Sequence, residues 1–208
     1  RKMKKYVVAF VFVMAAAMFS TQLSAQDNPV SVGFKAGTSL SNYRLGGDMK
    51  GFKSKMNFGG SVGGFIKYDI STNFALQSGI DVYYRTSELE SKADKSSDKL
   101  KSWGVEIPLY GIFQVELGSG KAFIGAGPYA GYGISAKSGG VNLFKKNNET
   151  GKASMNRFDY GVGGIIGYDF NKNWQINASY QFGLADLHKA GGGSMKSHGA
   201  AIGVVYKF

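Results

Sequence analysis

The side chains that could support hydrolytic chemistry gather in one late segment of the chain. Both histidines, His188 and His198, lie there together with Asp186, Ser194 and Ser197. Serine, histidine and aspartate are the residue types of a hydrolytic triad. Sequence spacing does not define a triad, so we expect no catalytic residues.

Metal, thiol and phosphate-loop chemistry are also disfavoured. Two histidines with nearby acids make a weak metal site, and the chain has no cysteine, which excludes disulfides and thiolates. The GGGS run at residues 191–194 is not followed by the lysine motif of a phosphate-binding loop. We therefore expect neither a metal nor a cofactor.

Ten charged residues alternate with apolar neighbours along the chain, five of each sign: Lys35, Lys67, Asp69, Asp81, Arg85, Glu106, Arg157, Asp159, Asp169 and Lys207. Buried ions are costly unless they are paired and hydrogen-bonded. If one face of the structure encloses these residues, their balanced charges predict an internal ion network.

The elements that would position these charges are strands, because the dominant period is two residues. Eight alternating segments occur, at residues 30–41, 56–69, 74–86, 103–116, 122–136, 157–169, 174–184 and 199–208. The connections alternate between about five residues, at 69–73, 117–121 and 169–173, and ten or more, at 42–55, 87–99, 137–153 and 188–197. This pattern predicts an all-β, eight-stranded, antiparallel up-and-down transmembrane β-barrel, because closure satisfies every backbone group in lipid.

The choice between a membrane barrel and a soluble, lipocalin-like barrel depends on which face is outside. Most strand glycines fall on the polar face, where a water-exposed strand would be needlessly weak. Inside an eight-stranded barrel, which side chains fill, glycine would make room for long polar groups. We therefore expect the polar face inside and the apolar face in lipid. Pro108 and Pro128, on adjacent strands, predict a shared bulge or a weakened stretch.

Targeting and end signals agree with this fold. Residues 1–25 carry four cations, a 14-residue apolar run and a small-residue site, which predicts a cleaved signal peptide followed by one barrel domain at 26–208. Outward aromatics cluster at both strand ends, as membrane girdles do. The terminal GVVYKF resembles the C-terminal signal that the barrel-assembly machinery reads, through Gly203, Tyr206 and Phe208.

The whole mature chain resembles the PorT-like, porin-family "outer membrane protein β-barrel domain" proteins of Gram-negative bacteria. The resemblance is carried by VEIPLYGIF at 105–113, AGPYAGYGIS at 126–135, RFDYGVGGIIGYDF at 157–170 and SYQFGLADL at 179–187. It implies an eight-stranded barrel in the outer membrane. It implies neither a conducting pore nor a catalytic site.

The surplus positive charge indicates what the surface could contact. The full chain carries +11, and removal of residues 1–25 would leave 21 basic and 14 acidic residues, with the excess in the long connections. A basic rim suits the phosphates of lipopolysaccharide, although solvated lysine-rich loops need no ligand. Nucleic acid is disfavoured by compartment and by loops without interleaved aromatics. We expect a non-enzymatic barrel that contacts outer-membrane lipids. The alternatives are a lipid-modifying outer-membrane barrel enzyme, which would use the serine, histidine and aspartate residues of the late segment, and a narrow, low-conductance pore.

Overall fold

The structure is a computed structural model that describes residues 29–47, 52–91, 97–138, 141–144, 155–188 and 193–208. The predicted signal peptide lies outside these residues. The described residues contain no helix that is long and apolar enough to cross a membrane.

In the described part of the chain, nine strands make up one antiparallel sheet. Their bounds are β1 Val30–Gly47, β2 Phe52–Asp69, β3 Phe74–Ser91, β4 Ser97–Leu117, β5 Gly120–Ser138, β6 Val141–Asn142, β7 Phe158–Asp169, β8 Trp174–Gly183 and β9 Gly193–Lys207. Eight of them form a closed ring in which consecutive strands pair and β9 returns to β1, while the two-residue β6 adds to β5. The predicted eight-stranded up-and-down barrel is confirmed.

The pairing register fixes the tilt of the strands. A path of directly paired residues that starts at Val30 on β1 and crosses all eight strands returns to β1 at Leu40, ten residues further along. A stagger of this size in an eight-stranded barrel corresponds to a tilt of roughly 40°.

The two faces of the wall are those that the alternation predicts. Phe34 and Val204 are exposed on the outside, whereas Lys35 and Asp81 are largely buried and Lys207 is only 5% exposed. The outer face carries two rings of aromatic side chains. The ring near the short turns contains Tyr68, Phe74, Phe113, Trp174, Tyr206 and Phe208, and the ring near the long connections contains Phe58, Tyr84, Trp103, Tyr132 and Phe158.

Short turns at one end hold neighbouring strands close. Leu117 pairs with Gly120 across a two-residue turn in which Gly118 has φ of 64°, the positive value that such hairpins require at their first turn position. In the turn before β8, the Asn171 side chain accepts hydrogen bonds from the backbone N–H groups of Asn173 and Trp174. Asparagine commonly closes turns in this way.

The strands are longer than the sequence predicts, and the connections opposite the short turns are correspondingly shorter. β1 continues to Gly47, β3 to Ser91, and β9 begins at Gly193, so much of the predicted loops at 42–55, 87–99 and 188–197 belongs to the sheet. In these extensions the inward residues, such as Tyr43, Leu100 and Met195, are buried, while the outward residues are polar, so backbone pairing continues where the outward apolar pattern has ended.

The prediction of a bulge at the two prolines is wrong. Pro108 pairs with Tyr129 in an unchanged register, and the register shifts lie instead between Trp103 and Gly104 and between Met56 and Gly60. The predicted weakening is present, since the pairing of β4 with both neighbours skips residues beside Pro108. Proline lacks the backbone donor that a ladder needs. The Pro108 carbonyl, where the ladder is interrupted, accepts a hydrogen bond from the Ser78 hydroxyl at 2.7 Å.

Candidate functional site: the barrel lumen

The end of the lumen near the short turns contains a buried polar cluster centred on one carboxylate. Asp169 accepts hydrogen bonds from Lys67 Nζ at 2.8 Å and Lys207 Nζ at 2.6 Å, and a third from Gln175 Nε2 at 3.0 Å. Three strands thus supply groups to one acceptor. We name Lys67, Gln77, Gln114, Asp169, Gln175 and Lys207 the basal cluster; all six are at most 5% exposed.

An apolar group lies beside the basal cluster in the same part of the lumen. It consists of Ala75, Tyr110, Ile112, Phe123 and Ile165. The Lys67 ammonium lies 5.6 Å from the centre of the Phe123 ring, which joins the two groups. Phe65, at 1% exposure, and Val205, at 0%, are also buried on the inner face. Side chains of both kinds therefore occupy this section of the barrel.

A cavity of about 110 Å³ lies in the middle of the lumen. Lys35 and Asp81 form an ion pair of 2.7 Å in its wall, and Asp81 Oδ1 is buried without a hydrogen-bond partner among the described residues. Glu106, Gln181 and Ser179 add further polar lining. A cavity of this size with polar groups in part of its wall has room for several water molecules.

A second polar cluster lies on the side of this cavity that faces the long connections. Arg85 pairs with Glu106 at 2.6 Å and lies 3.9 Å from a carboxylate oxygen of Asp159. Ser197 donates a hydrogen bond to Asp159 at 2.6 Å, and Gln181 donates one to Glu106. We name Arg85, Glu106, Asp159, Gln181 and Ser197 the upper cluster. It joins β3, β4, β7, β8 and β9 across the lumen.

Apolar side chains cover the upper cluster at the outer end. They are Tyr43, Leu100, Ala136, Phe144, Met155, Ala185, Leu187 and Met195, which we name the outer cap. The segments of the cap are joined by backbone hydrogen bonds, among them Leu143 to Ala136, Met155 to Leu143 and Leu187 to Met195. A cavity of about 20 Å³, enough for one water molecule, remains beneath Phe144.

Eight of the ten charges that the sequence assigns to an internal network lie in ion pairs, but in three separate groups. These groups are the basal cluster, the Lys35–Asp81 pair and the upper cluster. The other two charges bond elsewhere. Asp69 accepts a hydrogen bond from Gln114, and Arg157 donates to the carbonyls of Gly133 and Ile134.

The sequence pattern did not predict the large apolar residues in the lumen. These residues give the glycines on the inner face a second role. A methyl group added to Gly167 would overlap the Phe123 ring, and one added to Gly125 would overlap Ile112. These glycines leave room for apolar side chains, in addition to the long polar groups that we expected. The alternation of side chains between the two faces of a strand could have indicated these apolar residues, since Phe65, Ile112 and Phe123 fall at positions that face inward.

Asp186 accepts hydrogen bonds from the backbone N–H groups of His188 and Met195, but among the described residues no hydrogen bond joins a histidine side chain to the serines or the aspartate considered for a hydrolytic triad. Ser197 points inward to Asp159, whereas His198, as the next residue in β9, lies on the opposite face of the wall. His188 lies in the connection after β8, where its backbone N–H donates to Asp186. The part of the chain that the structure describes holds no group of three or more metal-binding side chains.

The comparisons with known proteins identify the family. The family model for the outer membrane protein beta-barrel domain matches residues 22–189. The chain belongs to this family. Because the fold and the family agree, the protein is an integral β-barrel of the bacterial outer membrane.

Solved structures with a similar fold share little sequence identity with this barrel-domain protein. OprG from Pseudomonas aeruginosa is 12% identical with a TM-score of 0.50, and the match covers 86% of this chain and 94% of OprG. Ail from Yersinia pestis is 14% identical with a TM-score of 0.47, covering 87% and 100%. Neisserial surface protein A is 18% identical with a TM-score of 0.44, with the same coverage. No curated protein matches at the significance threshold. Such likeness reports the fold alone.

Proposed function

We propose that this protein is a non-enzymatic outer-membrane barrel whose lumen is closed by its own side chains and whose outer end serves a structural or surface-interaction role. The observation that carries the proposal is the pair of closures at the two ends of the cavity. Gln114 and Gln175 are fully buried at the short-turn end, and Leu100 and Ala136 are at most 1% exposed in the outer cap. Ions would have to pass both closures.

Planar-bilayer conductance tests the closed lumen. The wild-type barrel is expected to give no steady channel, and Gln175→Ala or Phe144→Ala alone is expected to remain silent, because the other closure stays in place. The combined variant is expected to conduct. The control combines Gln175→Ala with Phe158→Ala, because Phe158 is an exposed aromatic on the outer face. This combination should not conduct.

A narrow, low-conductance pore is the competing function, and the central cavity favours it. Its polar lining and the unpartnered Asp81 oxygen would suit a short water-filled path. A steady, ion-selective conductance of the wild-type barrel would decide for the pore and against the closed lumen.

The non-enzymatic role is supported by the separation of Ser197 and His198 on opposite faces. Incubation of the purified barrel with lipopolysaccharide, followed by mass spectrometry of the lipid, is expected to return an unchanged lipid profile for the wild type and for His198→Ala. A product that forms with the wild type and is absent with His198→Ala would establish the enzyme instead.

The partners that we propose are outer-membrane lipids, including lipopolysaccharide, and the barrel-assembly machinery. Several lysines of the basic outer surface support the lipid partner: Lys50, Lys53, Lys55, Lys145, Lys146, Lys152 and Lys189. The structure describes none of their side chains, so this remains a prediction from charge. The finer placement among PorT-like members rests on the four sequence segments quoted above.

A further inference from the structure

Two cross-strand pairs of like charge lie on the outer wall near the long connections. Arg44 on β1 is paired with Lys196 on β9, and Lys101 on β4 is paired with Lys137 on β5. All four point outward, since their chain neighbours Tyr43, Met195, Leu100 and Ala136 are buried inside. Arg44, Lys101 and Lys137 are exposed, and Lys196 is half-buried. We name these four residues the basic collar.

The pairing in the basic collar is unfavourable without an anion. Like charges placed directly opposite on neighbouring strands destabilise a sheet. Elsewhere at this end of the barrel the backbone register pairs residues of opposite charge type: Lys53 with Glu90, Lys55 with Glu88, and Glu88 with Lys99. Among the residues that the structure describes, no carboxylate forms an ion pair with a collar cation. Arg44 instead places its guanidinium 4.2 Å from the Phe182 ring centre.

The collar lies at the depth of lipid headgroups. Trp103 and Phe113 mark the two aromatic rings on β4, and ten strand residues at this tilt span roughly 25 Å, the height of the apolar band of such barrels. Lys101 lies two residues beyond Trp103, which is about 5 Å further out. A charge costs little at this depth, in contrast to the bilayer centre. Among the described residues, none that faces outward between the rings is charged.

The two pairs lie at opposite seams of the ring, because four strands separate the β9/β1 seam from the β4/β5 seam in either direction. Each pair presents two cations within reach of one group. A phosphate monoester carries nearly two negative charges and three acceptor oxygens, so one phosphate matches one pair in charge.

We propose that each pair of the basic collar binds a phosphate group of an outer-leaflet lipid, the phosphorylated glycolipid lipopolysaccharide. This inference deepens the proposed lipid partnership and rests on the orientation that places the long connections outside. The proposed contact lies at two defined places on the barrel wall and not in the loops. At each place the lipid phosphate would be held beside the outer aromatic ring.

The test is lipid retention measured by native mass spectrometry. The refolded barrel is placed in phosphatidylcholine nanodiscs that contain diphosphoryl lipid A, and the lipids that remain bound after release are counted. The variants are Arg44→Gln with Lys196→Gln, Lys101→Gln with Lys137→Gln, and all four together. The control is Lys121→Gln with Lys172→Gln, which removes the same charge at the short-turn end.

The wild type and the control are expected to retain up to two lipid A molecules, each double variant one, and the fourfold variant none. The apparent affinity should fall about thirtyfold per pair, since each cation near an anionic surface contributes on the order of fivefold. Equal retention by the wild type and the fourfold variant would overturn the proposal. The proposal would also be overturned if inorganic phosphate, added at the same concentration as lipid A, displaced all of the bound lipid A, because the site would then bind free phosphate. Bilayer conductance reports the closed lumen separately, so the two proposals can fail independently.

A charge reversal gives a second readout that does not require lipid binding. Lys101→Glu creates an opposite-charge pair with Lys137, so in neutral, phosphate-free detergent the melting temperature should rise above that of the wild type. In lipid A nanodiscs the same variant should lose retention at the β4/β5 seam. A melting temperature that falls in detergent would show that the two lysines do not repel each other, and would contradict the premise of the proposal.

Discussion

Asp169 illustrates how single residues hold this barrel from within. It accepts hydrogen bonds from two ammonium groups and one amide, contributed by β2, β9 and β8. Removing the charge of a buried partner leaves the remaining ions uncompensated, which is more damaging than the loss of one neutral hydrogen bond.

Asp169→Asn is therefore expected to destabilise the barrel by about 3–5 kcal/mol. The measurement is urea unfolding of the barrel in lipid vesicles. Asp69→Asn is the matched control, because Asp69 accepts a hydrogen bond from Gln114 that the amide oxygen of asparagine can still accept, so this variant should lose clearly less stability. Equal losses for the two variants would show that the Asp169 ion pairs contribute no more than a neutral contact.

The inner glycines support a second prediction at this scale. A Cβ atom on Gly133 would lie 2.5 Å from Cζ of Phe144, whereas one on Gly164 would have its nearest neighbour at 3.8 Å. Gly133→Ala should cost about 1–3 kcal/mol, the usual penalty of overpacking, while Gly164→Ala should be nearly neutral. Unfolding should also show the Gly133→Ala penalty relieved in a Phe144→Ala background. A penalty that persists there would place its cause in the backbone.

The positions of the charged residues could be predicted from alternation, but their partners could not. Parity along a strand decides which face a side chain takes, and it placed Lys35, Asp81 and Lys207 correctly inside. Partnership depends on the stagger between strands that are distant in sequence. Arg157 is inward by parity, yet its guanidinium meets backbone carbonyls and the Phe144 ring.

At the scale of elements, the β9–β1 pair is the one that closes the ring. Phe208 donates its backbone N–H to Val32 at 2.9 Å, and its ring meets Phe34 edge to face at 5.2 Å. Tyr206 stacks in the same way on Trp174 of β8. The aromatic residues at the end of β9 therefore contact β1 on one side and β8 on the other.

Phe208→Ala is expected to slow membrane insertion by reconstituted barrel-assembly machinery, because it removes both the predicted recognition residue and a closing contact. Insertion is followed by the gel shift between boiled and unboiled samples. Phe58→Ala, which truncates a 70% exposed aromatic of the other ring, serves as the control. If the two variants insert equally slowly, the aromatic rings matter in general and the terminal residue has no special role.

The strands within the lipid were predictable, and their extensions were not. Inside the membrane each strand has one apolar and one polar side, which gives a clear period of two. Beyond the girdles, residues such as Ser87 and Ser197 are buried at inward positions, while neighbouring outward positions carry polar groups, so the contrast fades. The two residues of β6 are too few to show any period.

At the scale of the whole molecule, the absence of cysteine from the sequence makes orientation simple to test. A single cysteine at Lys137 should react with a membrane-impermeant maleimide in intact cells, because this residue is exposed at the end with the long connections. A cysteine at Lys172, exposed in a short turn, should react only after the outer membrane is permeabilised. The reverse pattern would invert the barrel and move the basic collar to the periplasmic leaflet.

The ten-residue stagger has a consequence for how the ring joins. If β9 paired with β1 two residues out of register, every side chain would stay on its own side of the wall. The outer face would still be apolar, so contact with lipid would not disfavour the wrong register. Such a slip would nevertheless change the bore, because strand number and stagger together set the diameter. Phe65, Gln114, Gln175 and Val205, all at most 1% exposed, fit one bore. Packing of the interior therefore disfavours a wrong register between β9 and β1 that contact with the membrane alone would tolerate.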